Sequence, residues 1–129
     1  MAENKVADQF KSLAGKAESG ELIIEQGAAA RCAARCEAYI ADLQALSFRT
    51  QRMVNADSFG DLDSAEKLAA KFATLAEGGP GTGSYLDAAT THIEILTQMA
   101  EMYRKAGAAY EACDEATQLA IKQQTNQLD

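Results

Sequence analysis

The sequence predicts an all-α protein, a long antiparallel helical hairpin (bundle) with a short extra helix at its tip. Three observations carry that prediction. A single proline in 129 residues leaves long stretches free to run as uninterrupted helix. Ala, Glu, Lys, Gln and Leu outweigh the strand formers Val, Ile and Thr. Large apolar residues recur in alternating steps of three and four along two long segments, as in packed antiparallel helices.

Residues 1–18 form a lead segment, either a short docking helix or a frayed arm. Val6, Phe10, Leu13 and Ala17 have helical spacing, whereas Gly15 and Ser19-Gly20 weaken it. The hairpin domain then occupies residues 19–129. Its first long helix is expected from about Gly20 to about Asn55, on a seam of Leu22, Ala29, Cys32, Cys36, Tyr39, Leu43, Leu46 and Met53. Glu25 and Thr50 interrupt that seam. A break follows at Ala56 to Leu62, where Gly60 can take a positive φ and the preceding Phe59 serves as a tip anchor. Asp63-x-x-Glu66 has the form of a capping box opening the short helix, which carries Leu68, Phe72 and Leu75 and ends at Gly78-Gly79. A second capping box, Ser84-x-x-Asp87, opens the other long helix. Its central column is Ala89, Leu96, Tyr103 and Tyr110, flanked by Ile93 and Ala100 on one side and Met99, Ala106 and Cys113 on the other. That stripe is wider than one neighbouring helix covers. Tyr39, Leu43 and Leu46 of the first helix and Leu96 and Tyr103 of the second are the candidate core or interface residues. Lys122 to Asp129 read as a polar, fraying tail.

Charge and composition narrow the function. A net charge of −7 argues against phosphate or nucleic-acid binding, which needs clustered Lys and Arg, and against an anionic membrane surface. No stretch approaches membrane-spanning length, and Met1 to Gly20 hold no continuous apolar run of the kind a secretory signal peptide requires. The three cysteines, Cys32, Cys36 and Cys113, are an odd count and no disulfide framework. Cys32 and Cys36 share one helical face and read as small buried hydrophobes; a metal site there would need further ligands.

No catalytic constellation emerges, and nothing calls for a cofactor. His92 has no Ser or Cys at a helical neighbour position, so it reads as a packing or surface histidine. The glycines from Gly78 to Gly83 lack the Gly-Lys-Ser/Thr sequel of a phosphate loop. Tyr103 and Tyr110 stand one heptad apart, which suits packing with each hydroxyl near the surface. Tyr110-Glu-Ala-Cys-Asp114 is more specific. On one continuous helix, residues four apart share a face, so the tyrosine ring and the carboxylate would form a single patch where the apolar seam fades.

Together the Ser58-Phe59-Gly60 turn, the two long helices and the terminal Tyr110-x-x-x-Asp114 resemble the small helical-hairpin substrates of the actinobacterial type VII (ESX) secretion system. The resemblance covers about Glu21 to Ala120. In that family two helices pack antiparallel across a glycine-containing turn, often W-x-G. A Y-x-x-x-D/E motif near the end of the second helix is part of the export signal. This chain lacks the Trp and adds a separate helix in the connection. The resemblance implies a non-enzymatic protein-protein interaction module, secreted or held in the cell envelope without a classical signal peptide and cytoplasmic before export. It would pair as a homodimer, or as a heterodimer with a related helical protein, and engage the export machinery. The residues taken alone imply an acidic helical interaction protein, for which a cytoplasmic adaptor or chaperone is the alternative.

Overall fold

A computed structural model describes residues 4–54 and 85–127, with the side chains of 51–54 left aside; every regular element among them is helical. The helices are α1 (Lys5–Glu18), α2 (Gln26–Val54), α3 (Tyr85–Glu111) and α4 (Glu115–Gln127). The expected tip helix, with Phe59 and Gly60, lies outside the described residues. The chain divides into two compact units, residues 1–3 with 40–93 and residues 4–39 with 94–129. In the first unit Ala89 is buried and Leu43 half-buried, while Leu46 and Phe48 are exposed.

The second unit contains the more informative packing. The lead segment is a helix. Asn4 caps α1, its Oδ1 accepting the Ala7 N–H at 3.3 Å. Ala7, Ala14 and Ala17 are the residues it buries, whereas Phe10 and Leu13 are half-buried and Val6 is exposed. The Ser19-Gly20 pair, expected to weaken this helix, is its stop. Gly20 takes φ +83, its N–H donates to Ala17 O at 3.1 Å, and the Glu21 N–H donates to Lys16 O at 2.8 Å. These are the two bonds of a Schellman cap, which needs a left-handed residue where a Cβ is strained. Helix α1 lies along α3, its start beside Glu94 and its end beside Lys105, whose Nζ meets the Glu18 carboxylate at 2.9 Å.

The first long helix starts later than the apolar spacing predicts. Leu22 to Ile24 form a non-helical link, in which the Ile24 N–H donates to Ala106 O of α3 at 3.2 Å. Glu25, read as an interruption of the seam, is the cap of α2. Its carboxylate accepts the Gly27 N–H at 2.9 Å and the Ala28 N–H at 2.8 Å. Those two bonds, chiefly the one from Gly27, hold its carboxyl below the ordinary value of 4.5.

Small residues make the contact between α2 and α3. Ala29, Ala33 and Cys36 are buried on α2; Ala100, Met102, Ala106, Gly107 and Tyr110 are buried on α3. A Cβ placed on Gly107 would stand 2.3 Å from Gln26 Oε1 and 3.0 Å from the Ala29 Cβ, so the helices approach through a side chain that is missing. Of the expected seam, Ala29, Cys36, Ala100, Ala106 and Tyr110 are buried, but most of its larger members are not. Tyr39 is 57% exposed, Leu96 and Tyr103 are half-buried, and Ala33 and Met102 are buried instead. Backbones held this close leave no depth for long side chains, which turn to the flanks.

Two tests follow from this packing. Gly15 is helical, exposed and has nothing within 4 Å of an added Cβ, so Gly15→Ala should stabilise by about 0.5–1 kcal/mol. Gly20→Ala, at a positive φ, should destabilise by about 1–2 kcal/mol. Denaturant midpoints of the pair should therefore move in opposite directions. Gly107→Leu should lose about 1–3 kcal/mol from overpacking, although it gains helix propensity; an unchanged midpoint would place α2 and α3 further apart than described.

Candidate interaction site

Two places in the second unit hold the residues singled out by sequence: a groove between α2 and α3, and the junction of α3 with α4. The groove has a cavity volume of about 520 Å³ and is lined by Cys32, Cys36, Tyr39, Leu96, Met99 and Tyr103, with Arg31 and Arg35 also on its wall. Residues at i, i+4 and i+7 of α2 face one flank of α3, which brings Cys32, Cys36 and Tyr39 to one surface. Burial pushes the Cys36 thiol above its ordinary value, reinforced by neighbouring Cys32 and opposed by Arg104. Burial likewise raises the Tyr103 phenol, helped by the two thiols and by its hydrogen bond with Cys32. All three cysteines are free. A protonated Cys36 is a packing group, without the thiolate character that nucleophilic chemistry needs.

Beyond the groove wall, two cations of α3 are paired. Arg104 meets Glu37 across the two helices, and Lys105 meets Glu18 and Glu101. Among the described residues there is no group of three or more His, Cys, Asp or Glu side chains placed to hold a metal, and no helix long and apolar enough to cross a membrane. His92 is exposed on α3.

At the second place the structure corrects the sequence. Tyr110 and Asp114 do not share one helix. Helix α3 ends at Glu111, three residues break the chain, and α4 begins at Glu115; the expected fraying tail is helical as far as Gln127. Tyr110 is buried, 7% exposed, and its hydroxyl donates to Gln118 O at 3.2 Å. Asp114 is exposed and caps α4, its Oδ1 accepting the Thr117 N–H at 2.7 Å. Bonds from the Thr117 hydroxyl and then from its N–H hold the Asp114 carboxyl below the ordinary 3.8.

Gln118 completes the junction, and sequence reasoning missed it. Its Nε2 reaches back to the end of α3, to Tyr110 O at 3.0 Å and Cys113 O at 3.1 Å. Carbonyls left over at a helix C-terminus thus gain a donor from the next helix. One signal was available: Asp114 followed by Glu115 is the composition of a helix start, an N-cap and an acidic first turn. Helix α4 buries no residue and leaves Leu119 exposed, so this junction and the half-buried Ile121 and Thr125 are what hold it.

The chain matches no family model, no curated protein and no solved structure.

The junction generates a mutational series. Tyr110→Phe keeps the ring and loses one hydrogen bond, so its melting temperature should stay near that of the parent. Tyr110→Ala empties a buried site and should melt clearly lower. Asp114→Asn keeps the cap, because Asn caps as well as Asp, whereas Asp114→Ala loses it. A carboxyl with a depressed folded-state value stabilises above its unfolded value and loses that contribution as pH falls through the folded one. The melting gap between parent and Asp114→Ala should therefore be widest at neutral pH and narrow below about pH 4, to what a neutral acid, like Asn, still contributes as a cap. A gap that does not narrow in acid would show that the ionised carboxylate adds nothing to the cap.

Proposed function

We propose that this chain is a non-enzymatic helical protein-protein interaction module, exported as a substrate of a type VII (ESX) secretion system. The observation that carries the interaction role is the open apolar groove on α2 and α3, with Tyr39 on its wall 57% exposed. Contiguous apolar surface of this kind is stabilised when a partner covers it. In this reading α2 and α3 are the two arms of an antiparallel hairpin. The order of contacts supports it: moving up α2 from Ala29 to Cys32 meets α3 first at Gly107, then at Tyr103. The occupant of the groove is a related helical protein or a second copy, and the export machinery engages the end that carries Tyr110 and Asp114.

Export rests on the resemblance in the Tyr110-x-x-x-Asp114 motif. Its placement refines how the signal would be read. A buried Tyr110 is not itself displayed; with Asp114 and Gln118 it fixes the angle at which α4 leaves α3, and α4 is what a receptor would meet. The same burial favours the second reading, a cytoplasmic adaptor or chaperone in which this junction is only structural.

Export and structure separate in one experiment. The parent should appear in culture filtrate, and only in cells with a working export ATPase. Asp114→Asn, which keeps the cap and removes the charge, should melt like the parent yet remain inside the cell. Filtrate levels of a folded Asp114→Asn equal to the parent would remove the charge from the signal. Retention of the parent itself would leave the adaptor reading.

A further inference from the structure

The groove of the second unit carries positive charge and has no carboxylate among its lining residues. Arg31 and Arg35 stand one turn apart on α2, both exposed, and both line the groove beside Tyr39, Leu96, Met99 and Tyr103. Elsewhere in this unit the cations of α3 are matched. Lys105 takes Glu18 and Glu101, and Arg104 takes Glu37. Among the described residues no carboxylate forms an ion pair with Arg31 or Arg35. Glu25 lies near enough for its charge and that of Arg31 to act on each other, while its carboxylate caps α2 through the Gly27 and Ala28 N–H groups. In a chain of net charge −7, two adjacent arginines on a groove that no carboxylate lines suit an acid from outside this unit.

We propose that the groove receives an amphipathic helix of another protein, with aliphatic residues at i, i+3/i+4 and i+7 seated against Tyr39, Met99 and Tyr103, and Asp or Glu flanking them toward Arg31 and Arg35. This rests on the interaction-module reading and specifies the partner's chemistry. An apolar floor with a charged wall is the arrangement of helix-in-groove recognition, where the floor supplies affinity and the wall selects the partner. Screening limits exposed charges to about 8 Å at physiological salt, so the two local arginines decide, and the distant negative charge of the chain does not. Arginine suits the role because its planar fork can take a carboxylate through two parallel bonds. A second copy meeting groove to groove fits less well, because a two-fold interface brings the Arg31 and Arg35 wall of each copy toward the same cationic wall of the other.

The test uses the full chain and two labelled synthetic helical peptides. Both carry leucines at the anchor positions; one has Glu and the other Lys at the flanks. Fluorescence anisotropy should show the Glu peptide binding at least about tenfold more tightly, with the difference shrinking as salt is raised. Arg31→Glu with Arg35→Glu should reverse the preference, Arg31→Gln with Arg35→Gln should abolish it, and Tyr39→Ser should weaken the Glu peptide. All of these positions are exposed, and circular dichroism checks that each variant is folded. Equal binding of the two peptides, no binding of either, or a preference unmoved by the arginine changes overturns the proposal. So does a dimer of the parent, seen by light scattering, that the Arg→Glu pair dissociates, because the groove then belongs to a second copy. An exported chain that fails here loses the acidic partner and keeps the export reading; a chain that binds as expected but stays in the cell keeps the partner and loses export.

Discussion

The close approach of α2 and α3 at Gly107 sets most of what the second unit does. The missing Cβ brings Gln26 and Ala29 against the α3 backbone. Helices held at that distance favour small residues between them, and the buried positions are accordingly mostly Ala29, Ala33, Cys36, Ala100, Ala106 and Gly107, together with Met102 and Tyr110. Helix α1 joins under the same rule, through Ala7, Ala14 and Ala17. The larger apolar side chains have no room inside. Their displacement to the flank opens the groove of Tyr39, Leu96, Met99 and Tyr103. Core and groove are therefore two results of one steric condition.

An alanine core also changes how the unit is stabilised. Burial returns free energy in proportion to apolar area, about 25 cal/mol per Å², and no large side chain here is fully buried. Helix ends then carry more weight. Asn4, Gly20, Glu25, Asp114 and Gln118 each satisfy backbone groups that a terminus leaves without partners. Two of these caps are carboxylates with lowered pKa values, so part of the stability depends on pH through helix termini and not through a buried ion pair. The ion pairs that do occur, on Arg104 and Lys105, lie on exposed flanks where such pairs contribute little.

The groove lies open because the core is thin, and its cysteines are packing groups: burial holds Cys36 protonated, and Tyr103 lies beside Cys32. The terminal motif has a structural duty in addition to any signal. Tyr110 anchors the junction from beneath, Asp114 starts α4, and Gln118 ties α4 back to the last carbonyls of α3. A pair expected to share one face of a straight helix instead lies across the break between α3 and α4.

What the sequence alone determined is the set of properties that depend on nearest neighbours along the chain. One proline and an Ala-rich, Glu-rich composition specify helix, and the period of apolar residues locates the two long segments within a few residues. Helix ends were legible only in part. Gly20 and Glu25 were seen as blemishes, and Asp114 as a surface charge, because capping is judged by which backbone N–H or C=O lacks a partner, and one-dimensional spacing does not contain that. Tertiary structure decided which side chains are buried. Periodicity gave most weight to the large residues Tyr39, Leu46 and Tyr103, whereas interhelical distance ranks residues by size and buries Ala33 and Gly107, which the spacing passed over, beside Ala106, which it named. The distance between two helices is a property of both faces at once, and neither segment contains it by itself.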